Sequence, residues 1–310
     1  MRRRPLLAVP FPRFLATPSM TSPLAARPIG VFDSGIGGLS VLQALRHELP
    51  HEHFVYLADS GNAPYGDAKG DAFVQQRTLA IARWLREHHG IKALVVACNT
   101  ATAAAVEQLR AALPDLPAIG VEPALKPAAA SSQTHHVGVL ATRGTVGSAR
   151  FQRLRDGHSA GTRFSVQPCD GLARAIEQST EEPLPAAASM AKIEALCVQY
   201  TGALGTFGLK TGEIDTLVLG CTHYVFAKDM LRALVGPDVQ IIDTGAPVAR
   251  QTRRILDQTH ALAPEHAVDG APAAPGHIQL YTTGQLAALQ SAAERWLQLP
   301  AQYCAALQID

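Results

Sequence analysis

Two short apolar runs in this chain each end on a cysteine, and each is followed at once by polar residues suited to open a helix. They are Val95-Val96-Ala97-Cys98-Asn99-Thr100 and Val218-Leu219-Gly220-Cys221-Thr222-His223. Runs of this length and type read as buried strands. A buried strand feeding straight into a helix is the repeating unit of an α/β fold with a parallel sheet. A thiol at such a junction meets backbone N–H groups and the positive end of a helix dipole, which favour the thiolate. Two such thiols turned toward one cavity can serve as opposed acid and base groups.

The same alternation continues on either side. Residues 28–32 read as a strand entering Asp33-Ser34-Gly35-Ile36-Gly37-Gly38, followed by a helix with Leu39, Leu42, Leu45 and Leu49 on one stripe. Its glycines serve either a tight turn or an anion site, and the pattern leaves both open. The spacing is not the GxGxxG of a dinucleotide fold. A strand over 54–58 ends in the long polar loop 59–66; a helix over 71–88 and a strand over 91–97 then deliver Cys98. An alanine-rich helix over 100–113 and a strand over 118–121 complete a βαβαβαβ series, which implies a mostly parallel sheet covered by helices.

The pattern restarts with Val137-Gly138-Val139-Leu140, which enters Ala141-Thr142-Arg143-Gly144-Thr145 and a helix. Later strands over 164–167, 214–219, 239–242 and 278–281 alternate with helices over 171–178, 190–200, 247–259 and 285–298. The cysteines stand about 123 residues apart and the two glycine-turn strands about 108, a weak internal duplication that gives the cysteines equivalent positions. Cys169 and Cys197 read as core packing, Asp59 and Asp243 as caps or turn formers, and residues 260–276 as a mobile linker.

Composition narrows the function classes. At 310 residues the chain suggests two domains, and a net charge of +1 argues against broad attraction to nucleic acid or anionic membrane. No apolar stretch approaches the roughly 20 residues that cross a bilayer. Five widely spaced cysteines are no disulfide framework and fit a reducing cytoplasm; no CxxC or HExxH supports a metal site. Arg2-Arg3-Arg4 precedes an apolar stretch, but Pro10, Pro12 and Arg13 break it, so residues 1–27 read as a disordered extension rather than a signal peptide. Met20 is an alternative start.

Taken together, Asp33-Ser34-Gly35-Ile36-Gly37-Gly38, Pro64-Tyr65-Gly66, Cys98-Asn99-Thr100, Ala141-Thr142-Arg143-Gly144-Thr145, Gly220-Cys221-Thr222-His223-Tyr224 and Tyr281-Thr282-Thr283-Gly284 closely resemble glutamate racemase. The resemblance runs from about residue 28 to 299, in the family's order. It implies two similar three-layer α/β domains with mostly parallel sheets, related by a pseudo-twofold, with the active site between them. The first would be residues 28–122 plus 243–310, the second 123–242. It implies cofactor-independent interconversion of L- and D-glutamate, supplying D-glutamate for peptidoglycan. By matching positions, Cys98 and Cys221 are the two bases; Asp33 supports Cys98, while Glu177 and His223 support Cys221. Cys98 would take the proton from D-glutamate and Cys221 from L-glutamate. Asp33, Ser34, Pro64, Tyr65, Gly66, Asn99, Thr100, Thr142, Thr145, Thr222 and His223 would bind substrate. The family includes monomers and homodimers, and some members answer to a peptidoglycan-precursor activator.

The chemistry suits these residue types. Racemisation removes the α-proton from one face and returns one to the other, so a thiolate and a thiol on opposite faces suffice. A thiol of ordinary pKa about 8.5 needs only modest tuning. Hydrogen bonds to the substrate carboxylate stabilise the developing carbanion, and domain closure would exclude water. Two rivals make different predictions. A sister racemase would turn over aspartate or a hydantoin in preference to glutamate. A non-catalytic two-domain binder would hold an amino acid through its anion turns and exchange no proton.

Overall fold

The two glycine-turn strands are the centres of two separate sheets. The computed structural model describes residues 23–181, 186–265 and 274–309. Its strands are β1 Ile29–Asp33, β2 Phe54–Ala58, β3 Ala93–Val96, β4 Ala118–Gly120, β5 His136–Ala141, β6 Arg163–Pro168, β7 Thr216–Gly220, β8 Gln240–Ile242, β9 Ile278–Thr282 and β10 Cys304–Ala306. The first sheet has the order β10-β9-β2-β1-β3-β4 and the second β6-β5-β7-β8. All the pairings are parallel. The run β2-β1-β3-β4 matches β6-β5-β7-β8 strand for strand. Cys98 follows the third strand of one unit and Cys221 the third of the other, so the duplication read in the sequence has a structural counterpart.

Strand periodicity divides the first core into two faces. Ile29 and Val31 of β1 pack with Leu39, Leu42 and Leu45, while Phe32 turns to the other face with Val74, Ile81 and Leu85. Helix Leu39–Glu48 packs on helix Gly245–Gln258, and helix Asp71–His89 on helix Asn99–Ala112, giving a helix layer on each side of the sheet. Both central strands are buried along their whole length, as parallel strands covered on both faces must be.

The expected elements recur with end shifts of a few residues, and the structure adds three features. Helix Leu125–Ser131 forms although Pro127 stands in its first turn, where a missing N–H costs nothing. The three-residue β10 is too short to carry a pattern. After Cys221 the chain runs as a 3-10 helix, Thr222–Ala227, before an α-helix begins at Lys228.

The disordered extension expected for residues 1–27 lies largely outside the described residues, but its last part is held in place. Leu24–Ala26 forms a 3-10 turn, and Lys92 Nζ donates to Ala25 O at 2.8 Å. The same ammonium donates to Ala261 O at 2.7 Å and pairs with buried Glu52 at 2.5 Å. Glu52 in turn accepts from Ala263 N at 2.8 Å. The start of the expected linker is thus tied down through residue 263, whereas residues 266–273 lie outside the described residues.

Candidate active site

Both cysteine junctions open onto one small cavity between the sheets. Cys98, Ser34, Pro64, Tyr65, Gly66, Asn99 and Thr100 line it from the first unit. Cys221, Thr222, His223, Thr142 and Thr145 line it from the second, together with Ala173, which has no chemical signature in sequence. Asp33 and Glu177 stand behind this lining and reach it through their partners.

The Cys98 side is buried. The residue is the N-cap of helix Asn99–Ala112: its sulfur accepts from Ala101 N at 3.4 Å, and its thiol donates to Ser34 Oγ at 3.5 Å. The sequence leads one to expect a helix start that favours thiolate. Burial instead pushes the Cys98 thiol well up, the Asp33 charge adds to the rise, and the two hydrogen bonds only partly offset them. Cys98 is therefore a protonated acid at neutral pH. Cys221 departs from the expectation differently: its side chain caps nothing, because a 3-10 helix follows it.

The Cys221 side is a relay. His223 Nδ1 faces Cys221 Sγ at 3.8 Å, and its Nε2 lies 2.6 Å from Glu177 Oε2. A carboxylate only accepts, so Nε2 carries the proton shared with Glu177. Burial works against charge on this imidazole, but its bonds to Cys221 and Glu177 outweigh burial and lift the His223 pKa well above its ordinary value. His223 thus holds an imidazolium toward the sulfur at neutral pH.

The glycine turn resolves the choice between tight turn and anion site. Ile36 N donates to Glu177 Oε2 at 2.9 Å, and Gly38 N donates to Asp33 Oδ2. The helix-start N–H groups do grip carboxylates, and both belong to the protein. Side chains at Gly35 and Gly37 would collide with the Glu177 carboxylate and the His223 ring, so glycine is needed for the close approach of the two units. Asp33 also accepts from Thr222 Oγ1 across the cavity at 3.3 Å. Its burial raises the carboxyl pKa to about 6, against the pull of the His223 charge.

Polar groups without partners lie in this lining and just behind it. Both side-chain polar atoms of Asn99 and Oδ1 of Asp33 are buried with no hydrogen bond among the described residues. Thr100 and Thr142 hydroxyls meet across the units at 3.1 Å, and Thr145 joins them, 3.0 Å from Thr142. Such a lining suits a small zwitterion with several carboxylate oxygens. Among the described residues no group of three His, Cys, Asp or Glu side chains is placed to hold a metal ion.

The sequence profile of the Asp/Glu/Hydantoin racemase family matches residues 37–252. The chain belongs to that family. It is an amino-acid racemase, as its relatives indicate. A glutamate racemase from Stutzerimonas stutzeri is 47% identical over 239 residues, 77% of this chain and 85% of that protein. Two solved glutamate racemases share the fold over 92% of this chain and 99% of their own. One, from Francisella tularensis in complex with D-glutamate, has a TM-score of 0.73 at 26% identity. The other, from Escherichia coli in complex with L-glutamate and the activator UDP-MurNAc-ala, has a TM-score of 0.72 at 28% identity.

The racemase keeps its other cysteines out of the cavity lining: Cys169 and Cys197 are fully buried, as expected of core residues. Asp243 accepts from Gly245 N at 3.0 Å and forms a turn, also as expected. Asp59 opens the 3-10 turn Ser60–Asn62, with Asn62 N donating to its carbonyl at 2.8 Å, but its side chain makes no capping hydrogen bond. Its carboxylate takes both arms of Arg77 at 2.9 Å, the Tyr65 hydroxyl at 2.6 Å and the Thr283 hydroxyl at 2.7 Å, fixing the Pro64-Tyr65-Gly66 loop. Its side-chain partners lie 3 to 224 residues away, and no local pattern reveals the distant ones.

Proposed function

We propose that this racemase interconverts L- and D-glutamate by a two-base mechanism in which Cys98 and Cys221 are the bases. The observation that carries the proposal is a single cavity lined by one thiol from the third-strand end of each unit. In one direction Cys221, beside His223, is the base, and Cys98 is the acid. Cys221 removes the α-proton of one enantiomer, L-glutamate by the family resemblance. Cys98 delivers a proton to the opposite face. In the reverse direction the roles exchange, after the protons re-equilibrate. Ser34, Asn99, Thr100, Thr142, Thr145 and the Tyr65–Gly66 backbone bind the substrate carboxylates and ammonium and stabilise the carbanion. Asp33 assists on the Cys98 side, and His223 with Glu177 on the Cys221 side.

The division that fits this site joins residues 28–122 with 243–310, and sets 123–242 apart as the second domain. The reaction would supply D-glutamate for peptidoglycan in a cytoplasm that keeps all five thiols free. A nucleotide-linked peptidoglycan precursor is the activator to try, since one is bound in the Escherichia coli racemase. Circular dichroism of L-glutamate, L-aspartate and a hydantoin incubated with the purified protein tests the substrate. Glutamate should lose its signal fastest; faster loss with aspartate or the hydantoin would transfer the assignment to a sister activity.

A further inference from the structure

We propose that Ser60 is a positioning residue for the Cys221 half of the reaction. It acts by setting the orientation of Glu177, and through it that of His223. The inference rests on the two-thiol reading above, and it concerns a residue outside the cavity lining. Ser60 Oγ donates to Glu177 Oε1 at 2.6 Å. The other carboxylate oxygen takes Ile36 N–H at 2.9 Å and His223 Nε2 at 2.6 Å. Oε1 and Oε2 are therefore held from different directions. A carboxylate held at both oxygens cannot swing about its Cγ–Cδ bond, so Oε2 stays aimed at the imidazole. The imidazole in turn keeps Nδ1 toward Cys221, 3.8 Å away.

Ser60 is itself held firmly enough to do this. It opens the loop after β2, and its flanks are tied on both sides. Gly61 N donates to Thr283 Oγ1 at 3.1 Å, and that hydroxyl donates to buried Asp59 at 2.7 Å. Asn62 N donates to Asp59 O at 2.8 Å, and Ala63 N to Ser60 O at 3.2 Å. Gly284 packs so closely on Ser60 that a β-carbon there would lie 2.8 Å from the serine's own. The serine belongs to the first unit and Glu177 to the second. Two of the three groups on this carboxylate, Ser60 and Ile36, thus come from across the cavity. Glu177 is fully oriented only when the units are together, which couples the Cys221 base to closure.

The test uses the full chain with Ser60→Ala, Glu177→Ala and the double variant. Racemisation is followed from both enantiomers, each with hydrogen or deuterium at Cα. Because the enantiomers are equal in energy, kcat/KM must fall equally in both directions, by about 10-fold for Ser60→Ala. The isotope effect separates the sides. It should rise from the enantiomer that Cys221→Ser fails to deprotonate, and fall toward unity from the other. In the Glu177→Ala background, Ser60→Ala should cost less than about twofold, since the two act through one carboxylate. Isotope effects that move together, or a full cost in the Glu177→Ala background, would overturn the proposal. Wild-type turnover of glutamate and the cysteine variants test the two-thiol reading separately.

Discussion

Glu177 and His223, 46 residues apart in the chain, meet at 2.6 Å. The contact makes the two thiols unequal: Cys221 faces a charged imidazole, whereas Cys98 sits near a buried carboxyl. The relay has a pH signature. The bond from Glu177 helps hold the His223 pKa up against burial. In Glu177→Gln that support is lost while burial remains, so the imidazolium should give up its proton at lower pH. Nitrogen-15 NMR of the histidine ring should show this shift downward, and kcat/KM should fall about 10²–10⁴-fold. An unchanged titration would remove Glu177 from the relay.

Asp33 should be costly to stability. Its folded pKa of about 6 exceeds the ordinary 3.8, so the folded state binds the proton more tightly than the unfolded one. Stability from this group is fully present below about pH 4 and is lost as pH rises through 6. At pH 8 the ionised carboxyl costs about 3 kcal/mol. Asp33→Asn keeps an acceptor for Gly38 N–H, so it should stabilise the protein at pH 8 by up to that amount and have little effect at pH 4. Urea denaturation at the two pH values checks this, and racemisation should be largely lost.

Arg77, itself partly exposed, and buried Asp59 hold a substrate loop through a bidentate pair. Arg77→Met leaves the carboxylate without its cation, and should destabilise the fold by about 3–5 kcal/mol. Freed of that anchor, Tyr65 and Gly66 should bind substrate less well. KM for glutamate should rise more than kcat falls, which steady-state kinetics will show.

Lys92 and Glu52 make a buried pair, with no role in the chemistry. Lys92→Met alone should cost about 3–5 kcal/mol, because Glu52 is left uncompensated. Adding Glu52→Leu should recover most of that loss. Thermal denaturation of the single and double variants measures it, with kcat unchanged in both.

How much was legible in the sequence follows the range of each interaction. The strands and the two cysteine junctions are local patterns, and they appear where periodicity puts them. The thiols' environments were not legible, because burial and a 3-10 turn override what a helix start would do for Cys98 and Cys221. The glycine turn was legible only as a tight turn or an anion site, and the anions that decide it, Asp33 and Glu177, are joined by contacts five and 141 residues long. Asp59 read as a cap or turn former, and it does open a turn, but its side-chain contacts with Arg77 and Thr283 span too much chain for a local pattern to show. Ala173 went unnoticed, since an alanine in a wall looks like any alanine in a helix.

Solvent-deuterium incorporation at Cα tests the central claim most directly. Wild-type protein in D2O should place deuterium in the product formed from each enantiomer. Cys98→Ser and Cys221→Ser should each lower racemisation by about 10²–10⁴-fold. Each should retain exchange, if any, from one enantiomer only, and not the same one. Racemisation near the wild-type rate in either variant, or loss of exchange from the same enantiomer in both, would contradict a cavity in which the two thiols serve opposite faces.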